Sequence, residues 1–345
     1  MSFRSPTADD TLAASLVPTM TILTGRRKLM AMLGGLAMMP LMALAQPELT
    51  KIGVLRDGNA VPVADLPIVQ ELAKVGYVEG RSVTYVFRAT GGDPSRLPQL
   101  AHEIVAAKPD IIVAGGSPAA LALFNVTHDI PVVITVLADP VALGLTDSMA
   151  HPSHNVTGFT VSSLSLTAKR LQLMHEILPT LQKSGYFWVP DSPLAQRRKE
   201  QVEQAAKVLG ISLVSIPVQS AADIEGAFTR ADQEQVKAVL IESDPVMLRV
   251  SSAIADHCLL YNLPCMHFFP EEVRNGGLIS YGPAAIENIS GAAAYVERLI
   301  KGAKVAELPF VDPTDIKLVI NLRTARSLGI KIPPSVMIRA DEVIE

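Results

Sequence analysis

With 345 residues, 49% of them hydrophobic and only 5% aromatic, the chain is long for one hydrophobic core and comfortable for two lobes of aliphatic parallel sheet covered by helices. Its net charge of −4 excludes the basic footprint of a nucleic-acid-binding protein. The two cysteines, Cys258 and Cys265, have no CxxC or Cys/His metal spacing; two buried thiols are the preferred reading and a disulfide the alternative.

The N-terminal segment reads as an export signal. Arg26-Arg27-Lys28 precedes an uncharged apolar run from Leu29 to Leu44, which ends at Ala43-Leu44-Ala45. Basic region, apolar run and small-x-small site are the order of a cleavable signal, and Gly34, Gly35 and Pro40 disfavour a permanent span. The Arg pair resembles the twin-arginine route, with the general secretory route left open. Residues 1–19 look unlike a signal, which a start at Met20 would explain. Residues 1–45 carry a net +2, so their removal leaves a body of −6, which fits a periplasmic protein.

From Lys51 onward, short apolar runs alternate with amphipathic stretches. Strands are predicted at 52–55, 83–87, 111–114, 131–136 and 156–161, with helices over 64–75, 95–107 and 118–126 between them. The rhythm restarts with a helix over 165–178. Strands at 186–189, 211–218, 238–242, 264–269 and 278–281 then alternate with helices over 194–209, 221–231, 246–261 and 284–301. A strand at 316–321 and a short helix over 322–328 close the chain. Two successive series of this kind give an α/β protein of two doubly wound parallel-sheet lobes with a ligand cleft between them. The expected division is residues 1–45 as export segment, 46–162 plus about 280–308 as the first lobe, and 163–279 plus about 309–345 as the second.

In open parallel sheets, ligands bind beyond the carboxyl ends of the strands. The segments there are Gly115-Gly116-Ser117-Pro118, Asp139-Pro140, Asp191-Ser192-Pro193, Asp244-Pro245 and Gly282-Pro283. Each can be no more than a helix start, because Ser or Asp caps the first turn and proline suits the first position. The same geometry also offers free N–H groups to a carboxylate, while Asp139, Asp191 and Asp244 could receive an ammonium or hydroxyl group. Phe269 and Tyr281, which end strands on the expected cleft side, join the candidate contacts, with a core role equally open for Phe269.

Enzyme signals are weak. Gly115-Gly116-Ser117-Pro118-Ala119 looks like a nucleophile elbow, but Pro118 has no N–H for the oxyanion hole. No GxxxxGK[ST] loop occurs, and no GxGxxG follows the first strand. His151 and His154 lie in a polar loop, and His175-Glu176 lacks a second His at metal spacing. Tyr186, Phe187 and Trp188 read as core. No catalytic residue, metal or cofactor is expected.

Several segments resemble the tryptophan/tyrosine-type substrate-binding proteins of ATP-driven (ABC) transporters, which have the type 1 periplasmic binding fold. They include Lys51-Ile52-Gly53-Val54-Leu55, Gly76-Tyr77-Val78-Glu79-Gly80-Arg81, Gly115 to Ala119 and Ala138-Asp139-Pro140-Val141. Asn155-Val156-Thr157-Gly158-Phe159, Gly276 to Pro283, Leu318 to Leu322 and Arg339-Ala340-Asp341-Glu342 extend the match. The resemblance implies a monomer that closes on a small molecule and hands it to a membrane permease with its ATPase. It implies ligand contacts at Arg56, Asp57 and Gly58, at Ser117 with its neighbours Gly116 and Pro118, at Asp139 and Pro140, and near Asp191 and Asp244. Two features depart from the pattern: Arg56-Asp57-Gly58-Asn59 is not tied to any particular ligand, and Ser184 to Trp188 carries aromatics where an aliphatic strand is usual. A ligand-binding subunit of a membrane sensory system is the alternative.

Overall fold

The computed structural model describes residues 49–161 and 163–345; the predicted export signal lies outside them. In the first lobe, β1 (Thr50–Arg56), α1 (Pro67–Lys74), β2 (Val83–Ala89), α2 (Leu97–Ala106) and β3 (Ile111–Gly115) come first. They are followed by α3 (Ser117–Phe124), β4 (Val132–Leu137) and β5 (Val156–Thr160). The five strands form a parallel sheet in the order β2-β1-β3-β4-β5. Side-chain alternation sends Leu55, Ile112 and Ala114 to the face covered by α2 and α3. It sends Val54, Val113 and Val133 to the opposite face, which α1 and a later helix cover.

The second lobe begins with α4 (Ser163–Ile177), β6 (Lys183–Trp188), α5 (Ala195–Val208), β7 (Ser212–Pro217), α6 (Ile224–Gln233) and β8 (Ala238–Ile241). It continues with α7 (Pro245–Arg249), α8 (Ser251–Leu260), β9 (Cys265–His267), α9 (Pro270–Arg274) and β10 (Ile279–Gly282). The chain then runs through α10 (Ala285–Ile300), β11 (Lys317–Asn321), α11 (Leu322–Ser327), α12 (Pro334–Met337) and β12 (Glu342–Ile344). The second sheet has the order β12-β11-β10-β9-β8-β6-β7, with only β10 and β11 antiparallel. Leu171 and Met174 of α4 and Val202 and Ala206 of α5 fill one of its faces. Phe228 of α6 and Ile254 of α8 fill the other.

Helix α10 leaves the second lobe to cover the first lobe's sheet beside α1, so the chain crosses between lobes three times. The first crossing follows β5, the second follows β10 and the third precedes β11. The crossing segments lie against one another: Thr160 N donates to Val311 O (2.8 Å), Asn288 Nδ2 to Thr160 O (3.0 Å), and the Thr160 hydroxyl to Asp312. Thus β10, and Tyr281 with it, belongs to the second sheet. Phe310 and Val311 still pair with Met149 and Gly158 of the first lobe, so the last crossing comes a few residues later than the sequence placed it.

The predicted helix over 246–261 is broken at Val250 (φ −97°, ψ 11°), where Asn275 holds the hydroxyl of Ser251 at 2.9 Å. The predicted strand over 264–269 stops at His267, because the Glu272 carboxylate accepts the N–H groups of Phe268 (2.9 Å) and Phe269 (2.7 Å). The cysteines differ from the preferred reading. Cys258 and Cys265 form a disulfide, since the turn after α8 brings their Cα atoms to 6.6 Å, within bridging range.

Candidate functional site

A cavity of about 320 Å³ lies between the lobes, at the carboxyl ends of β1, β3 and β4 on one side and of β6 and β8 on the other. In the second sheet β8 and β7 flank β6 on opposite sides, so the chain reverses direction across the sheet here, the usual place for a ligand crevice.

The first-lobe wall starts at Arg56, the last residue of β1. Its register partner in β3 is Gly115, where a Cβ would come within 2.8 Å of the Arg56 Cβ. Glycine there leaves room for the arginine to lie across the strand end. Burial, and then the neighbouring Arg249, pull the Arg56 guanidinium below its ordinary pKa, with Asp57 opposing. Arg56 makes no ion pair among the described residues; its Nε donates only to the Asp57 carbonyl (3.3 Å). Asp57 also lines the cavity and accepts from the Thr90 hydroxyl and from Arg249 Nη1 (3.0 Å). Gly116, at φ +124°, makes the turn that starts α3 at the cavity. Ser117 and Pro118 line it, and the Ser117 hydroxyl accepts from Ala138 N (3.1 Å), tying α3 to the end of β4.

The second-lobe wall is built from Ser192, Arg198, Ser243, Asp244, Leu248 and Arg249. Asp244 caps α7 by accepting from Val246 N (2.8 Å). Burial raises its pKa, against the opposing effects of the Ser192 hydroxyl, Val246 N–H and Arg198. Arg198 donates to Ser192 (3.1 Å) and pairs with buried Glu242. Burial likewise pushes the Glu242 carboxyl well above its ordinary range. Behind this pair lies Arg170, fully enclosed. Its Nη1 donates to the Ile241 carbonyl (2.6 Å) and its guanidinium stands 5.0 Å from the centre of the Phe268 ring. Burial lowers its pKa to about 10, with Glu242 and Glu272 opposing.

Of the sequence-predicted contacts, Arg56, Asp57, Ser117, Pro118, Asp244 and Phe269 line this one cavity. The others stand outside its wall. Gly58 turns its N–H to the Thr90 hydroxyl (2.9 Å), and Gly116 shapes the turn only. Asp139 caps its own turn through Val141 N and Ala142 N (3.0 Å each), and Pro140 is buried in that turn. Asp191 is exposed and accepts from Gln219 (3.0 Å). Tyr281 packs against the second lobe's own core. Arg198 and Arg249 were missed. The signal for Arg198 was its place on the buried stripe Ala195, Arg198, Val202 and Ala206, where a charge needs a partner. Arg249 ends α7, the short helix that starts at the cavity with Asp244, and no local pattern marks it.

Two α/β lobes with a charged cavity between them have the architecture of a type 1 periplasmic binding protein. The chain belongs to the ABC transporter substrate binding protein family, whose model it matches over residues 57–344. A tyrosine-binding protein of Clostridioides difficile (strain R20291) is 22% identical over 263 residues, 76% of this chain and 75% of the relative. A crystal structure of a Streptococcus pneumonia domain in complex with L-Trp superposes with a TM-score of 0.76 at 26% identity, covering 86% of this chain and 100% of the other. A conserved-domain protein of Vibrio cholerae gives 0.77 at 26% identity, covering 85% and 99%.

Proposed function

We propose that the protein is the exported binding component of an ATP-driven uptake system, and that its ligand is a small amino-acid-like carboxylate with an apolar side chain. The observation that carries this reading is the pairing of Arg56 and Asp244 in one cavity, from opposite lobes. Burial works against the charge on each, so a ligand that brings a carboxylate to Arg56 and an ammonium to Asp244 relieves both at once. Such a ligand also bridges the lobes and favours their closed arrangement. The ligands named for the two relatives, tyrosine and L-Trp, carry the same ammonium and carboxylate head group. A cavity of about 320 Å³ sits at the low end of the roughly 300–1,000 Å³ usual for small-molecule sites, which suits a single amino acid.

Export to the periplasm follows from the Arg26-Arg27-Lys28 and apolar-run signal, and the Cys258–Cys265 disulfide suits an oxidising compartment. A membrane permease and its ATPase are the partners this role requires.

Calorimetric titration tests the reading. The purified protein, unfolded and refolded to strip bound ligand, is titrated with amino acids, their amides and their des-amino acids. Amino acids with both charges are expected to bind, and Arg56→Ala and Asp244→Asn are each expected to weaken binding at least tenfold. Equal affinity for the amides would remove Arg56 from the head-group role.

A further inference from the structure

The cavity does not stop at the strand ends. Val54 of β1 and Val113 of β3 are direct register partners on the α1/α10 face of the first sheet, and both line it. Leu66 and Ile68 at the start of α1 and Ile289 of α10 line it as well. Four of these five side chains are otherwise core residues, at most 5% exposed, so on this side the cavity ends in an apolar pouch against the edge of the first lobe's own core. Arg56 stands two residues beyond Val54, hence on the same face and at the mouth of the pouch.

On that face the pouch has one polar side chain, Thr135, two residues beyond Val133 on β4. Its hydroxyl already donates to the Ala114 carbonyl (3.4 Å). Every other polar side chain of the cavity wall sits at the strand ends or on the second lobe; the first turn of α1, at Leu66 to Ile68, adds only backbone polar groups.

We infer that the pouch selects amino acids whose side chain is apolar to its tip, branched aliphatic or phenyl, over those that end in a hydroxyl or an N–H. The inference rests on the proposed binding role and places the head group at Arg56 with the side chain beside Val54 and Val113. A phenol or indole entering the pouch would give up its hydrogen bonds to water for an aliphatic lining. Hydrophobic pockets reject an added hydroxyl by roughly 100-fold, which sets the scale.

The test measures dissociation constants of the full protein for leucine, isoleucine, phenylalanine, tyrosine and tryptophan. Phenylalanine or leucine should bind about 100-fold more tightly than tyrosine. Val113→Thr, which keeps the shape and adds a hydroxyl, should narrow the phenylalanine/tyrosine ratio. Ile289→Phe, made on a half-buried helix position, should remove phenylalanine binding and keep alanine binding. Tyrosine or tryptophan within threefold of phenylalanine overturns the inference. The pair phenylpropionate and hydroxyphenylpropionate separates this outcome from failure of the head-group reading. If no amino acid binds but these acids do, the amino-acid reading falls while their ratio still decides the pouch. If neither series binds, both fall.

Discussion

Arg249 Nη1 lies 3.0 Å from Asp57 Oδ2, and this ion pair joins a second-lobe helix to the loop after the first strand of the first lobe. Asp57 is largely enclosed, with 8% of its side chain exposed against 25% for Arg249, so the pair is better shielded than a surface bridge. Both residues line the cavity, so the pair bridges the two lobes at its edge.

Arg249→Met is therefore expected to weaken ligand binding about tenfold, mainly through faster dissociation, because loss of one partner of a shielded pair acts on the off-rate. Stopped-flow release of ligand measures this. An unchanged off-rate would show that the pair contributes nothing to closure.

The buried pair of Arg198 and Glu242 calls for a different outcome. Both side chains are at most 4% exposed. Removing one partner leaves an uncompensated charge in the core, at a cost of about 3–5 kcal/mol. Arg198→Met alone should lower stability by that order in urea denaturation. Arg198→Met with Glu242→Gln should recover only part of it, because the enclosed Arg170 then keeps Glu272 alone to balance its charge. A double variant as unstable as the single would assign the loss to packing of the arginine stem.

The architecture was legible in the sequence because buried parallel strands leave uninterrupted aliphatic runs, such as Ile111 to Ala114 and Val132 to Val136. Helix α9 was not, since five residues carry too little periodicity, and the Glu272 cap that ends β9 is a contact from outside the strand. Six of the twelve predicted contacts line the cavity, because residues after strand ends converge by topology alone. Asp139 and Asp191 carried the same local signature as Asp244, yet only Asp244 reaches the cavity. An N-cap pattern reports a helix start and not what lies beyond it. Arg170 and Arg198 act through long-range pairing with Glu242 and Glu272, which no local window contains.

The disulfide closes a short loop, with a sequence separation of 7 between Cys258 and Cys265. Chain-entropy arguments give a stabilisation of about 2 kcal/mol for so short a loop. Cys258→Ala with Cys265→Ala, and reduction of the native protein, are expected to lower stability by that same amount. Urea denaturation with and without reductant checks the agreement. A reductant effect on the double variant would show that the loss has another source.

The pH dependence of binding follows from Asp244. Burial raises its pKa above the ordinary aspartate value of about 3.9, while Arg198 pulls the other way and Asp57 adds to the rise. A ligand ammonium beside the carboxylate favours its charged form and lowers that pKa in the complex. The free protein thus binds more protons than the complex between the two values, so affinity rises with pH through the free-state pKa and then levels off. The stability of the unliganded protein moves oppositely. The folded state holds the Asp244 proton more tightly than the unfolded chain, so this group's contribution is largest at low pH and is lost as pH rises through the raised pKa. Titrations from mildly acidic pH to neutrality should show the affinity rise in the native protein and its absence in Asp244→Asn. A rise of the same size in that variant would transfer the titration to another group and remove Asp244 as the ammonium site.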